Sequence, residues 1–329
     1  MEQLFMNTPF IIIIFIFLLS LFILSKSTDY LTDSAIVISK SLGISDIIIG
    51  ATVVSLGTSL PEFATTISAL ISGSNDLALG NSLGSIITNT SLILSLGILY
   101  GSIPVSKKSA SNVVITFLGI IGLYFASLFN NSLIPRVLGY TLLIALPLYL
   151  LQSFNNNNST ETIEQNKSLK EKLSFDKLLM LFIKVIISGL IVALSSSFLV
   201  ATVQVSASRA GISEAIISAT VVALGTSLPE LSTVISSAKK GYGGLAFGNL
   251  VGASLMNLLF VLGTAITFSK TPITVPKSFL IFHFPIAMVI FLYLLFSIYN
   301  PKKHVLTKKD GAFLIIIYII YILYNLLTK

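Results

Sequence analysis

Long apolar runs separated by short polar segments make up almost the whole chain. A helix needs about 20 mostly apolar residues to cross the hydrocarbon core of a bilayer, and most of these runs have that length. The pattern therefore predicts an all-α polytopic membrane protein with about ten transmembrane helices. The predicted spans are residues 8–25, 44–71, 77–100, 112–129, 134–152, 178–204, 212–238, 244–267, 278–298 and 311–327.

Composition agrees with a chain that is solvated mainly by lipid. Of the 329 residues 54% are hydrophobic and only 10% are charged, with a mean hydropathy of +0.95. A soluble domain carries about 25% charged residues, so charge this sparse excludes a soluble fold of this size. The net charge of +7 comes from bases between the apolar runs, and we expect no nucleic-acid partner.

Several kinds of chemistry are absent from the sequence. The chain has no Cys, which excludes disulfides, thiolate catalysis and Cys-ligated metal centres. It contains no nucleophile–base pair and no cofactor fingerprint. We therefore expect neither an enzyme nor a bound cofactor. Apart from the lipid bilayer, no obligate partner is inferred.

The chain is an internal duplication. Gly43–Leu70 and Gly211–Ala238 match at most positions without a gap, at a constant offset of 168, and the match continues from Gly80-Asn81 to Gly248-Asn249. The duplication predicts two halves, 1–152 and 177–329, joined by a polar linker at 153–176. Because each half has an odd number of spans, the second must cross the membrane upside down. Inverted repeats of this kind are typical of secondary transporters, with the site at the repeat interface near the midplane.

Basic residues between the spans give an orientation. When the loops are numbered alternately, the bases divide 14 to 5 between the two sides. The positive-inside rule then predicts a cell-membrane protein with both termini extracellular and the central linker cytoplasmic. The richer side holds Lys26, Lys40, Lys107, Lys108, Lys167, Lys170, Lys172, Lys177, Lys239, Lys240, Lys302, Lys303, Lys308 and Lys309.

Only two acids lie deep inside apolar spans, Glu62 and Glu230, and they are equivalent under the repeat. A charged group at the bilayer centre costs at least ~2.5–3.5 kcal/mol on insertion scales, so such an acid is a functional hypothesis by default. The nearest bases along the chain are Lys40, Lys239 and Lys240, all at predicted interfaces. A salt bridge that merely locks two helices therefore has no evident partner.

Each of these glutamates follows a proline in the segment Gly-Thr-Ser-Leu-Pro-Glu. Pro61 and Pro229 each remove an amide donor and obstruct the carbonyl four residues back. We therefore expect an unwound break between two half-helices, whose freed carbonyls can coordinate a cation. Thr58, four residues before Glu62, would share its face if the segment were helical.

The next spans add neutral oxygen donors. Ser85 and Asn89 lie four residues apart in the first repeat, and the equivalent positions in the second are Ala253 and Asn257. Together with the glutamates and hydroxyls, the set offers only oxygen ligands. Hard cations such as Ca2+ and Na+ prefer that ligand set.

The two copies of Gly-Thr-Ser-Leu-Pro-Glu, with the downstream Gly-Asn and Gly-x-x-x-x-Asn elements, resemble the two alpha-repeats of the sodium/calcium exchanger family. This family belongs to the wider cation/calcium exchanger superfamily, and the short linker resembles its minimal prokaryotic-type members. The resemblance implies that Glu62 and Glu230 bind Ca2+ in competition with Na+. It also implies that backbone carbonyls near Ser55 and Ala223 complete the shell. The supporting side chains implied by the family are Thr58, Ser59, Ser85, Asn89, Thr226, Ser227 and Asn257.

The chain departs from the family at identifiable positions. Some members carry Asp where this chain has Asn257, and Ser where it has Ala253. The proton-coupled branch typically has Glu at the position of Gly84, which argues against proton coupling. The expected function is a secondary active antiporter that exchanges Ca2+ for Na+ by alternating access. The alternatives are a proton/calcium or other cation antiporter, driven by a pH gradient without Na+, and a passive cation channel, which needs no counter-ion.

Overall fold

The computed structural model describes residues 8–42, 44–73, 75–105, 107–155, 175–209, 223–301 and 304–327. Almost all of these residues are helical, and two pairs of two-residue strands join the loops. Large apolar side chains such as Phe15, Leu148 and Leu194 are exposed on the outer helices. An outer surface of this kind matches a lipid environment. The prediction of an all-α membrane fold is confirmed.

Six helices form the first half of the chain. α2 contains a π-helical turn at Gly50–Val54, and α4 contains one at Asn89–Ile93. The six helices are α1 (Phe10–Leu42), α2 (Asp46–Ile49 continued by Ser55–Thr58), α3 (Leu60–Ser72), α4 (Asn75–Tyr100), α5 (Lys107–Phe129) and α6 (Arg136–Asn155).

Six more described helices follow in the second half. α10 contains a π-helical turn at Asn257–Leu262, and α11 begins with one at Phe279–His283. These helices are α7 (Phe175–Arg209), α8 (Ala223–Thr226), α9 (Leu228–Lys239), α10 (Gly243–Phe268), α11 (Phe279–Tyr299) and α12 (Lys308–Leu327).

Nine spans of the described chain are long and apolar enough to cross a membrane, and α2 and α3 together form one of them. These nine correspond to nine of the ten predicted spans. The other predicted span, 212–238, overlaps residues 210–222, which lie outside the described residues. Its described part consists of α8 and α9.

α1 and α7 are longer than the pattern predicts. They contain 33 and 35 residues, whereas the predicted spans covered 8–25 and 178–204. At about 1.5 Å per residue each helix is about 50 Å long, well beyond the ~30 Å hydrocarbon core. Lys26, counted above as a loop residue, lies inside α1. The polar second half of α1 is therefore a continuation of the helix and not a loop.

The α2 and α10 backbones are in direct contact. A Cβ atom added to Gly248 would collide with the Ile47 carbonyl, and one added to Gly252 would collide with the backbone of Ala51. Small residues allow this approach. The equivalent glycines of the first repeat, Gly80 and Gly84, are less crowded. The nearest described atoms to a Cβ at Gly80 or Gly84 are the Phe279 ring and the Tyr321 hydroxyl, each at 3.5 Å.

Short strands tie the loops together in two groups. β1 (Ile103–Pro104) pairs antiparallel with β4 (Val305–Leu306), and β2 (Leu133–Ile134) pairs antiparallel with β3 (Ile273–Thr274). The first pair joins the loop after α4 to the loop after α11, and the second joins the loops after α5 and α10. The strands therefore place these loops on two opposite faces, as the alternation of spans requires.

Candidate functional site

Glu62 and Glu230 occupy equivalent places, each as the third residue of a half-helix. α3 begins at Leu60 and α9 begins at Leu228, and both glutamates are fully buried. A carboxylate in the first helical turn lies near the unpaired amides and the positive end of the helix dipole. The fold thus offers a favourable backbone environment to two acids that lie inside apolar spans.

The break before each glutamate is narrower than expected. Only Ser59 and Ser227 leave helical geometry, with φ/ψ of −83°/5° and −87°/7°. The Ser59 amide still donates to the Ser55 carbonyl at 3.0 Å, and the Phe63 amide donates to the Ser59 carbonyl at 3.1 Å. The segment is a one-residue kink between two half-helices, and the expected unwound stretch is absent from these described residues.

The two prolines leave different carbonyl environments in the two repeats. Pro229 deprives the Gly225 carbonyl of its helical donor, and the Ser196 hydroxyl donates to that carbonyl at 2.9 Å. At the equivalent Gly57, no described side chain donates to the carbonyl, and the backbone of Gly189 in α7 packs against this glycine. Of the two freed carbonyls, that of Gly225 therefore has a hydroxyl donor among the described side chains, and that of Gly57 has none.

Hydroxyl groups cross between the repeats. Thr226 and Ser227 face the Glu62 carboxylate, and Ser227 Oγ lies 3.5 Å from Glu62 Oε1. In the reciprocal arrangement, the hydroxyls of Thr58 and Ser59 face Glu230. The Thr58 hydroxyl thus faces the glutamate of the other repeat and also lies 3.4 Å from the Ser55 carbonyl of its own. Its expected place on one face with Glu62 stays a prediction.

The buried asparagines follow the same crossed arrangement. The π-helical turn that begins at Asn257 packs against α3, and the turn that begins at Asn89 packs against α9. Phe63, next to Glu62, stacks on Phe260 of the Asn257 turn with ring centroids 4.3 Å apart. Each half of the candidate site is thus assembled from a glutamate of one repeat and an asparagine turn of the other.

Many polar atoms of this region have no hydrogen-bond partner among the described residues. Leaving a buried donor or acceptor unpaired costs about 1–3 kcal/mol, so such a cluster needs an explanation. A site for a desolvated cation supplies one, because the oxygens would become ligands. The unpaired atoms are Glu62 Oε2, both oxygens of Glu230, Ser59 Oγ, Ser85 Oγ, and both polar atoms of the Asn89 and Asn257 amides.

The remaining predicted residues are placed as follows. The Ser55 carbonyl accepts the Ser59 amide and lies in the helical turn before the kink, and its second lone pair can still bind a cation. Ala223 is the first described residue of α8, so the chain before it lies outside the described residues. Ala253 is fully buried in α10 and contributes no side-chain oxygen.

Two further asparagines, Asn81 and Asn249, hold the site residues in place. In the sequence they stand out only as members of the repeated Gly-Asn pair. Asn81 donates to the Glu62 carbonyl at 3.0 Å and to Thr66 Oγ1 at 3.1 Å. Asn249, its equivalent, accepts a hydrogen bond from the Thr58 hydroxyl at 3.2 Å. The available signal was the repeated Gly-Asn pair, because a buried amide in an apolar span needs partners.

The two glutamates are the only carboxylates of the candidate site within the described chain, and no group of three or more acidic, His or Cys side chains that could hold a metal ion occurs there. A cation bound at this place would therefore be held by two carboxylates and by neutral hydroxyl, amide and carbonyl oxygens. That donor set suits Ca2+ or Na+ and does not suit a softer metal.

Comparison with known proteins decides the family. The model of the sodium/calcium exchanger protein family matches residues 12–155 and 180–327, which cover both repeats. The chain belongs to the sodium/calcium exchanger family. This is a family of membrane antiporters that transport calcium and sodium ions.

Individual relatives agree with this assignment. The sodium/calcium exchanger MaX1 of Methanosarcina acetivorans is 27% identical over 348 aligned positions, which cover 93% of this chain and 96% of the relative. The inner membrane protein YrbG of Escherichia coli is 32% identical over 250 positions, covering 75% of this chain and 77% of the relative. A solved structure of the sodium-calcium exchanger NCX_Mj superposes with a TM-score of 0.80 at 27% identity, covering 95% of this chain and 99% of that one.

Proposed function

We propose that this exchanger is a secondary active antiporter that exchanges Ca2+ for Na+ by alternating access at a site centred on Glu62 and Glu230. The observation that carries the proposal is the pair of buried glutamates, each faced by hydroxyls of the opposite repeat. Because each half of the site draws on both repeats, any movement of one repeat against the other changes both halves together. Coupling of ion binding to a conformational change requires that the two halves of the site change together.

Charge arithmetic supports exchange over simple binding. Two ionised carboxylates carry a charge of −2, which one Ca2+ or two Na+ would neutralise. An empty site with two ionised acids is costly away from water, since a buried charge needs a counter-charge. The switch between the two access states would then occur readily only with the site occupied. Because the site must hold ions at each switch, an ion moves across the membrane only in exchange for another.

The ligands of the proposed site divide into charged and neutral groups. Glu62 and Glu230 supply the charge that attracts the cation. The neutral shell consists of the Thr58, Ser59, Ser85, Asn89, Thr226, Ser227 and Asn257 side chains, with backbone carbonyls near Ser55 and Ala223.

We further propose the orientation that the bases predict, with both termini extracellular and the 153–176 linker cytoplasmic between the halves 1–152 and 177–329. The strand pairing supports the assignment of loops to two sides, on which the 14-to-5 count of basic residues depends. Lys107 and Lys108 follow β1, and Lys308 and Lys309 follow its partner β4, so these bases lie on one face.

Ca2+ flux in proteoliposomes tests the proposal. Vesicles loaded with Na+ and diluted into Na+-free medium should accumulate radioactive Ca2+, and vesicles without internal Na+ should not. Vesicles that contain the Glu230→Gln variant serve as the matched control for leakage. Uptake driven by a pH gradient in the absence of Na+ would replace the proposal with a proton/calcium antiporter. Uptake without any counter-ion would replace it with a channel.

A further inference from the structure

An ion pair joins α1 to the end of α9. Lys240 is the C-cap residue of α9, and its Nζ lies 2.7 Å from Asp33 Oδ1 and 3.7 Å from Asp29 Oδ1. The Ser236 hydroxyl donates to Asp29 Oδ1 at 2.7 Å. Two acids one helical turn apart on α1 are thus held against α9 by one base and one hydroxyl.

Between this ion pair and Glu230, α9 carries a stripe of buried hydroxyls. Thr233 and Ser237 lie three and seven residues after Glu230, which places all three on one face of the helix. Both hydroxyl oxygens are buried and have no hydrogen-bond partner among the described residues. The stripe extends about 10 Å along α9, from the candidate site toward Lys240.

α1 contributes two more hydroxyls of the same kind. Thr28 and Thr32 are fully buried, lack hydrogen-bond partners in the described part of the chain, and immediately precede Asp29 and Asp33. α1 packs along α9 in this region. Buried hydroxyls normally find partners, so unpaired ones on two packed helices need an explanation, and contact with water or ions is one.

The ion pair has no counterpart in the other repeat. At the offset of 168, Asp29 corresponds to Ser197, Asp33 corresponds to Ala201, and Lys240 corresponds to Ser72. None of these equivalents carries a charge. In an inverted-repeat transporter the two repeats exchange roles when the access side changes. A contact that only one arrangement can make therefore favours one access state over the other.

We propose that Lys240, Asp29 and Asp33 form a one-sided latch that closes the α9 end of an access path lined by Thr233 and Ser237. The inference rests on the proposed exchange function. Closure of this end, which lies on the predicted cytoplasmic face, biases the protein toward the state that is open to the other side. Partly exposed ion pairs are weak, so the bias amounts to about two- to five-fold in the ratio of the two states.

The absence of native Cys permits a direct test of access. A single Ser237→Cys substitution places a thiol in the proposed path. The purified full-length protein in lipid nanodiscs, where both faces are open to solution, is treated with a small polar thiol reagent. Adding Lys240→Gln should raise the rate of labelling by about two- to five-fold, because the latch no longer holds α1 against α9.

The neighbouring lysine provides a matched control. Lys239 lies 4.8 Å over the Tyr100 ring of α4, and among the described ion pairs it is Lys240 that contacts the latch acids. Lys239→Gln removes the same charge and should leave the labelling rate unchanged. The exchanged pair, Lys240→Asp with Asp33→Lys, should return the rate toward that of the Ser237→Cys parent, because it restores a salt bridge with reversed polarity.

Three results would overturn the latch. They are an unchanged rate in Lys240→Gln, an equal rise in Lys239→Gln, and a thiol at position 237 that stays unreactive in every background. Size-exclusion profiles that match the parent confirm that a variant is folded. The labelling needs no transport, so a failed Ca2+/Na+ exchange assay with a normal latch response would reject the proposed function and leave the latch intact.

Discussion

The Thr58 hydroxyl donates a hydrogen bond to Asn249 Oδ1, 3.2 Å away and 191 residues later in the chain. Thr58 belongs to the motif of the first repeat, whereas Asn249 belongs to α10 of the second. The bond holds in place a hydroxyl that also faces Glu230. A residue outside the proposed ligand shell thus fixes the position of a residue within it, across the interface between the repeats.

This relationship predicts the effect of replacing Asn249. Asn249→Leu keeps the approximate volume but removes the nearer acceptor of the Thr58 hydroxyl and leaves only the Ser55 carbonyl, 3.4 Å away. Loss of a buried partner, and of the order it gives to a ligand, should raise the half-saturating Ca2+ concentration about ten-fold. Measurement of Ca2+ uptake against Ca2+ concentration checks the shift.

Asn325→Leu is the control for that experiment, because the Asn325 amide donates to the Tyr321 carbonyl within α12. It should leave the half-saturating Ca2+ concentration unchanged. Equal shifts in the two variants would mean that Asn249 acts only through general stability.

Replacement of either site glutamate should cause the largest loss of Ca2+ transport. Glu62→Gln and Glu230→Gln should each abolish Ca2+ transport while expression and folding stay near those of the parent. Each change removes a buried charge, which eases folding, but leaves the site one charge short of Ca2+. Asp76→Asn, an exposed acid at the start of α4, is the control that should transport normally. Parental Na+-driven Ca2+ uptake in either glutamine variant would reject the site.

Much of this site could be predicted from the sequence, for clear physical reasons. Acids are costly in apolar spans, so Glu62 and Glu230 stand out without any structure. Their repetition at a fixed offset then indicates a shared site. The lengths of most spans also follow from the apolar runs, because a bilayer sets a narrow range of lengths.

Other features had no sequence signal that could be read. The approach of Thr58 to Glu230 depends on how the two repeats pack, and spacing rules report only on neighbours within one helix. The π-helical turns at Asn89 and Asn257 depend on backbone packing that no residue type specifies. The first predicted span ends at residue 25, which leaves Lys26, Asp29 and Asp33 in a loop, yet these residues lie on a continuous helix.

The orientation can be tested with introduced thiols. A Cys at Asn157, in the 153–176 linker, should resist an impermeant thiol reagent in intact cells, because the excess of bases places the linker in the cytoplasm. A Cys at Asn130, in the loop between α5 and α6, is the control and should be labelled readily. The reverse pattern would invert the proposed topology.

The second half of the site should bind one Na+ more weakly than the first. Asn89 and Asn257 are equivalent, and neither can carry a charge, so the described site contains only two ionisable ligands. Ala253 is fully buried where the first repeat has Ser85, whose hydroxyl is unpaired within the described residues. The second half is therefore one oxygen poorer. We expect this difference to weaken the binding of one Na+ without preventing Ca2+ transport.

The test restores the missing groups one at a time. Ala253→Ser adds a hydroxyl at a buried position next to the Asn257 turn, and should lower the half-saturating Na+ concentration about two- to five-fold, as expected for one added ligand oxygen. The double variant Ala253→Ser with Asn257→Asp adds a carboxyl group, which should be protonated, because a third buried carboxylate beside two others is disfavoured. It should therefore retain Ca2+ exchange. If neither variant changes the Na+ dependence of Ca2+ uptake, positions 253 and 257 do not contact the transported ions.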